Sequence, residues 1–446
     1  MQKELVTVKH TVLVPYIDKK NLEQKLENTL LWKTLLTDTT ELSFESVPFE
    51  HPLWILYSSG TTGMPKPIVQ GHGGILLEHL KATRLHQDMT SEDTVFWFTT
   101  TGWMMWNLLM GGLLNGATIV LYDGSPSYPD METLWRLAED TGMTSFGTSA
   151  PFLTSSMKLG MKPIEKYNLT KLQSLFSTGA PLSSDGFKWV YNNVKADIWL
   201  SSSSGGTDVC SGFVGGVSIL PVRIGEIQGR SLGVHVEAFD EKGNSLINDV
   251  GELVITKPMP SMPLYFWNDQ DGTRYFDSYF DTYPGVWKHG DWIKIDEKGS
   301  CIIYGRSDST INRSGVRMGT SDIYRVVEAI DDVMESLVID REVLGRGSSL
   351  LLFVVLKQGK MLDSDLTAKI KEQIREHISP RFIPDQVYLV NHIPKTLNGK
   401  KMEVPIRKLL LGFEFDKVVN ADSMSNPESL QFFKDLAFEL NEEKIF

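Results

Sequence analysis

Through the first half of the chain, short apolar runs alternate with helical patterns. Leu53-Trp54-Ile55-Leu56-Tyr57 is a strand-like run that ends in a Ser/Thr/Gly loop. Ile75, Leu76, Leu80 and Leu85 then fall near helical spacing. Thr94–Phe98 and Ala117–Leu121 read as strands, and Asp130–Asp140 reads as a helix behind Pro129. Leu175–Ser177 and Ile198–Leu200 continue the strand series. Strands alternating with helices predict an α/β fold built on a doubly wound, mostly parallel sheet.

Near residue 213 the pattern changes to short β runs and turns. Val234–Phe239, Gly251–Ile255 and Cys301–Tyr304 are the runs, and Glu241-Lys242-Gly243-Asn244 and Asp296-Glu297-Lys298-Gly299 are turn signals. They predict a small β-rich subdomain over about 213–307, inside a large domain over 1–307. A third pattern follows Asp308. A helix over Asp322–Ile330, strands over Ser336–Ile339 and Leu350–Leu356, a charged helix over Asp363–His377 and a strand over Val387–Val390 predict a smaller α+β C-terminal domain, 308–446.

The length of 446 residues suits this division into two or three parts. Hydrophobic residues at 41% and charged residues at 22% fit a soluble globular protein. A net charge of -12 and a pI of about 5.3 give no global electrostatic reason to bind nucleic acid or an anionic membrane. They leave room for a local basic site for a small anion. The two cysteines, Cys210 and Cys301, form neither a CxxC pair nor a zinc spacing, which fits a reducing cytosol and a cytoplasmic location. Met1–Leu5 lacks the apolar core of a signal peptide, and Leu350–Leu356 is too short to span a bilayer.

The candidate chemistry begins at Ser58-Ser59-Gly60-Thr61-Thr62-Gly63-Met64-Pro65-Lys66. Small residues let a backbone close on phosphates, hydroxyl and N–H groups donate to the oxygens, and Lys66 adds positive charge. Pro65 stands where a Walker A loop needs its second glycine, so this is a different loop. Read alone, it serves equally as a phosphate cradle or as a surface loop. Ser177-Thr178-Gly179-Ala180-Pro181-Leu182 puts a turn after a buried strand, at the sheet end where ligands bind. Gly205-Gly206-Thr207-Asp208, Trp287-Lys288-His289-Gly290-Asp291, Gly305–Arg317 and Pro394–Lys400 follow. Taken singly, most of these are ordinary turns.

Together and in this order they resemble the motifs of the adenylate-forming superfamily, which includes acyl-CoA synthetases, luciferases and peptide-synthetase adenylation domains. The resemblance runs from Tyr57 to Lys400. It implies that Ser58, Ser59, Gly60, Thr61, Thr62, Gly63 and Lys66 hold the β- and γ-phosphates of ATP. It implies that Gly179, Ala180 and Pro181 line the adenine pocket and that Thr207 meets the α-phosphate. Asp208 would hold Mg²⁺; relatives carry Glu there, and the shorter acid implies a contact through water. Asp291 would accept hydrogen bonds from both ribose hydroxyls. Arg306 would meet the ribose and Arg317 the phosphates. Asp308 would be the hinge on which the last domain turns, and Gly315 would lie on the pantetheine path of coenzyme A. Lys400 would be the lysine of the adenylation step.

Thr99–Asn107, Ser201–Asp208, Gly225–Gln228 and Tyr265–Asp269 resemble the acetoacetate-activating CoA ligases within that superfamily. The implied substrates are acetoacetate, ATP and coenzyme A; another short or medium acid, or an inactive nucleotide-binding fragment, are the alternatives. Acetyl-CoA ligases place a Trp near the position of Gly205, so Gly205 and Gly206 are expected to leave room for a longer acid. Trp103 and Met104 read equally as pocket wall or as plain core. Relatives carry roughly 150–200 further residues ahead of the phosphate loop. Its position at residue 58 therefore predicts an exposed apolar sheet edge and raises the possibility of a missing N-terminal segment supplied by another chain.

Overall fold

A computed structural model of the chain describes residues 4–16, 27–36, 41–58, 66–307, 311–313, 316–343, 347–397 and 399–442. It divides into two units, Met1–Pro48 and Phe49–Phe446. The first unit pairs two short parallel strands, Thr11–Leu13 and Thr29–Leu31, followed by a one-turn helix, Trp32–Leu35.

The second unit opens with an antiparallel hairpin, β1 (Pro52–Ser58) and β2 (Lys66–Gly71), then helix α1 (His72–His86). The expected parallel sheet follows. Its strands are β3 (Thr94–Trp97), β4 (Thr118–Val120), β5 (Ser145–Ser149), β6 (Ser174–Thr178) and β7 (Trp199–Ser202), in the order β4-β3-β5-β6-β7, all parallel. Helix α2 (Met104–Gly111) joins β3 to β4. Helices α3 (Thr133–Thr141), α4 (Ala150–Lys158) and α5 (Ser184–Asn193) link the later strands. Trp135, Phe146, Phe187 and Leu200 form the core on one face; Trp97, Met105, Phe176 and Cys210 form it on the other. A sheet buried on both faces explains why its strands read as apolar runs. Helix α3 starts at Thr133 rather than Asp130, because the Asp130 carboxylate turns back to accept the Glu132 N–H at 2.9 Å.

Two irregular pieces shape the site. Strands β8 (Ser204–Gly206) and β9 (Ser211–Gly215) form a short antiparallel pair directly after β7. The β-rich part expected near 213–307 contains a five-stranded antiparallel sheet with β10 (Val236–Phe239), β11 (Val250–Ile255), β12 (Trp287–Ile295) and β13 (Cys301–Arg306). Helix α6 (Thr273–Tyr279) leads into β12. Beyond it, Val333–Val343, Gly347–Leu356 and Gln386–Leu389 make a three-stranded mixed sheet. Helices Thr320–Val327 and Ser364–His377 cover one face, and Glu403–Leu410 and Leu430–Glu442 the other. The Asp363 side chain caps the second of these helices, accepting from the Leu366 N–H. The run Leu350–Val354 is fully buried in this sheet. Among the described residues no helix is long and apolar enough to cross a membrane.

On α1, Leu76, Leu77, Leu80 and Leu85 are exposed, while Glu78 and His79 turn inward. Glu78 is held by Lys81 at 2.6 Å and by the Ser211 hydroxyl at 2.7 Å. His79 bonds the Cys210 carbonyl at 3.2 Å, and burial lowers its pKa to about 4. A histidine neutral in the fold takes up its proton more readily when unfolded. Stability is therefore expected to fall as pH drops from 6.5 towards 4, by about 3 kcal/mol in all from this group. Urea unfolding of wild type and His79→Gln across that range checks it. The variant should lose stability less steeply, and equal slopes would show that His79 is not the source.

Candidate active site

The antiparallel pair β1–β2 places Ser58 and Lys66 directly opposite each other in register. Lys66 thus opens a strand of this antiparallel pair, where a Walker A lysine opens a helix. Ser59, Gly60, Thr61, Thr62 and Gly63 lie outside the described residues. The Ser58 hydroxyl is buried with no hydrogen-bond partner among the described residues, an unmet donor that a ligand oxygen would satisfy.

Lys66 reaches the Asp208 carboxylate at 3.0 Å. Asp208 sits in the tight turn between β8 and β9, and Gln70 fixes that turn from β2. Its amide donates to the carbonyls of Thr207 at 3.3 Å and Asp208 at 2.9 Å, and its own carbonyl accepts from the Trp54 indole at 2.7 Å. Burial works to raise the Asp208 pKa, but Lys66, His289 and the Tyr279 hydroxyl together hold it below the usual carboxylate value. The carboxylate is therefore charged across the neutral range.

Gly205 has a backbone reason that its sequence neighbours do not reveal. A Cβ there would fall 2.2 Å from the Ser211 carbonyl oxygen on the facing strand. Close approach of β8 to β9 thus demands glycine, where room for a longer acid was the expectation. A Cβ at Gly206 would meet the His289 ring at 2.6 Å.

At the carboxyl end of β6, Gly179 takes φ +88, which favours glycine, and a Cβ there would lie 3.8 Å from the Trp103 ring. Gly179, Ala180 and Pro181 are exposed along the cleft wall; Trp103 and Met104 are buried yet line the same cleft.

Asp291, on β12, pairs across the sheet with Arg306 on β13. Its carboxylate lies 3.6 Å from Arg306 and 3.5 Å from the His289 ring. Gly290 has φ +91, and a Cβ there would come 2.8 Å from the Arg306 guanidinium. Burial lowers the His289 pKa, with the nearby Asp291 carboxylate pulling the other way, and its Nδ1 has no partner among the described residues. Glu252 orders the turn by accepting from the Gly290 N–H at 3.0 Å and the Ser307 hydroxyl at 3.1 Å.

Lys400 comes from the last part of the chain. Its loop is closed by the Thr396 N–H to the Lys400 carbonyl at 2.9 Å and by Gly399 at φ +77. By area Lys400 is exposed, but it lines the cleft together with Asp208, Asp291 and Arg306. The solvent it meets is that of a walled space. Desolvation there lowers its pKa below a free lysine's, with Asp291 and Asp208 pulling the other way and Arg306 adding to the fall. Asp308 and Gly315 lie outside the described residues, as does the side chain of Arg317 in the strand Val316–Met318.

The structure therefore gathers Ser58, Lys66, Thr207, Asp208, Asp291, Arg306 and Lys400 around one cleft of about 2360 Å³. Single-ligand pockets span roughly 300–1,000 Å³, so this one has room for more than one substrate. Sequence reasoning missed Gln70, Tyr279 and Glu252. None lies in a recognisable motif, and each acts through a partner far along the chain. Both cysteines are free and buried.

A metal beside Lys66 would find the Asp208 carboxylate, 3.0 Å from that ammonium. Among the described residues no three His, Cys, Asp or Glu converge. That donor set suits Mg²⁺, which is bound through one or two carboxylates plus substrate phosphates.

Comparison with known proteins agrees with this geometry. Residues 2–266 match the family described as AMP-binding enzyme, and residues 325–400 match the AMP-binding enzyme C-terminal domain. The acetoacetyl-CoA synthetase of Mus musculus is 42% identical over 442 residues, 97% of this chain and 65% of that protein. The acetoacetyl-coenzyme A synthetase of Rhizobium meliloti (strain 1021) is 43% identical over 429 residues, 96% of this chain and 65% of that protein. Among solved structures, the acetoacetyl-CoA synthetase from Streptomyces lividans superposes with a TM-score of 0.90 at 50% identity, over 98% of this chain and 67% of that one. The anthranilate CoA ligase AuaEII, solved with anthranoyl-AMP, shares the fold with a TM-score of 0.71 at 18% identity. This chain spans 65% of the length of the mouse and rhizobial relatives. With the cleft, the ordered motifs and these matches in agreement, the chain belongs to the AMP-binding enzyme family.

Proposed function

We propose that the chain joins acetoacetate to coenzyme A through an acyl-adenylate. The carboxylate of acetoacetate attacks the α-phosphorus of ATP and pyrophosphate leaves. The thiol of coenzyme A then attacks the adenylate carbonyl, giving acetoacetyl-CoA and AMP. Splitting one difficult acylation into two steps is the purpose of the intermediate. The observation that carries this reading is the convergence of Lys400 with Asp208, Asp291 and Arg306 in one cleft. The names of the relatives supply the acid.

In this reading Ser58, Lys66 and the loop residues 59–63 hold the β- and γ-phosphates, while Gly179, Ala180 and Pro181 face the adenine. Thr207 and Arg317 meet the phosphates nearer the sugar, and Asp291 and Arg306 hold the ribose. Asp208 would hold Mg²⁺ carried on the phosphates, and the ion would supply positive charge against the leaving pyrophosphate. Lys400 binds the incoming carboxylate and the α-phosphate together, placing charge where charge develops. The part after Ser307 turns about Asp308 between the two steps, and Gly315 leaves space for pantetheine.

The test is an acid panel with ATP, Mg²⁺ and coenzyme A, scored by pyrophosphate release. Acetoacetate is expected to give the highest kcat/KM among acetate, acetoacetate, butyrate and hexanoate. A better acid would reassign the substrate. ATP binding without pyrophosphate release for any acid would overturn the ligase reading.

A further inference from the structure

Tyr279 ends helix α6, whose first turn is fixed by Asp269: its carboxylate accepts the N–H groups of Arg274 at 3.1 Å and Tyr275 at 2.9 Å. The Tyr279 ring is buried and lies flat on Trp287, with ring centroids 3.5 Å apart and planes 12° from parallel. Phe266 and Tyr275 meet it edge-on at 5.8 and 5.3 Å. This packing leaves the ring one orientation, and its hydroxyl donates to Asp208 Oδ1.

The same Oδ1 carries the Lys66 ammonium at 3.0 Å. Lys66 Nζ is also 3.5 Å from the Tyr279 hydroxyl and 4.6 Å from the centroid of its ring. A buried tyrosine hydroxyl needs a partner, and here the partner is the acid that Lys66 also meets. An ammonium facing one carboxylate in a low-dielectric site is held strongly. A second donor on the same oxygen weakens that hold. The face of the ring gives the ammonium a neighbouring resting place.

We propose that Tyr279 is a positioning residue for nucleotide binding: by sharing Asp208 Oδ1 with Lys66, its hydroxyl keeps Lys66 transferable from Asp208 to the phosphates. This rests on the proposed ATP site, but not on the identity of the acid.

Tyr279→Phe keeps the stack on Trp287 and removes only the hydroxyl. Its melting temperature should stay near that of the wild type. Its dissociation constant for ATP, read by displacement of a fluorescent nucleotide, should rise about tenfold, the size of a hydrogen bond to a charged group. The KM for ATP should follow, while kcat and the KM values for acid and coenzyme A change little. Lys66→Met supplies the decisive background. Because the hydroxyl acts through Lys66, adding Tyr279→Phe to Lys66→Met should weaken ATP binding little further. Unchanged ATP affinity in Tyr279→Phe, or its full loss repeated in the Lys66→Met background, would overturn the proposal. Wild-type protein that binds ATP but releases no pyrophosphate sinks the ligase reading, and the binding comparison then decides this proposal by itself.

Discussion

Replacing Lys400 with alanine is expected to cut adenylate formation by about 10²–10³-fold, the usual loss when one preorganised group facing developing charge is removed. The two half-reactions should respond differently. Formation of acetoacetyl-CoA from supplied acetoacetyl-adenylate should stay near the wild-type rate, because the α-phosphate has by then been attacked. The reason lies in where Lys400 sits. Its loop is held by its own backbone, through Thr396 and Gly399, so truncating the side chain leaves the loop intact. The amine shares the cleft with Asp291, Arg306 and Asp208. Single-turnover pyrophosphate release measures the first step, and thioester formation from the supplied adenylate measures the second. Equal losses in both would remove Lys400 from the adenylation step.

The second large effect is expected at Asp291. A carboxylate that accepts from both ribose hydroxyls makes two charge-assisted hydrogen bonds, each worth about 1.5–3 kcal/mol. Asp291→Ala should therefore raise the KM for ATP by roughly 10²-fold or more. The substrate carries the matching half of the test. Wild-type enzyme should handle 2′-deoxy-ATP poorly, while Asp291→Ala should barely distinguish it from ATP. The substitution also leaves Arg306 and His289 without the carboxylate they flank at 3.6 and 3.5 Å. A thermal melt separates that structural cost from the binding loss. A variant that still discriminates between the two nucleotides at the wild-type ratio would show that the ribose is held elsewhere.

Both predictions rest on residues that the sequence marks by type and spacing. Lys400 lies in a Gly-containing loop, and Asp291 follows a glycine within the β-rich stretch. Tyr279 carried no such mark. In the sequence it reads as one aromatic beside Tyr275, Phe276 and Phe280. Its partners Asp208 and Lys66 lie 71 and 213 residues away, so only the packing of α6 against β12 reveals its role. Gly205 shows the opposite limit. Its type was conspicuous, but the reason expected for it was acyl room, and the facing carbonyl of Ser211 supplies another.

The sequence by itself determined the alternation that makes the parallel sheet, the change of pattern near residue 213 and the buried strand at Leu350–Leu356. It also determined the order of the motifs. These depend on local periodicity and on which residue types a turn accepts, and both are written in neighbouring positions. Only the tertiary structure decided that Ser58 and Lys66 face each other across two paired strands, that Lys66 rests on Asp208 under Tyr279, and that β8 and β9 approach too closely for a side chain at Gly205. Those features are distances between segments far apart in the chain. Such distances are set by how the packed core closes, and no local pattern encodes them.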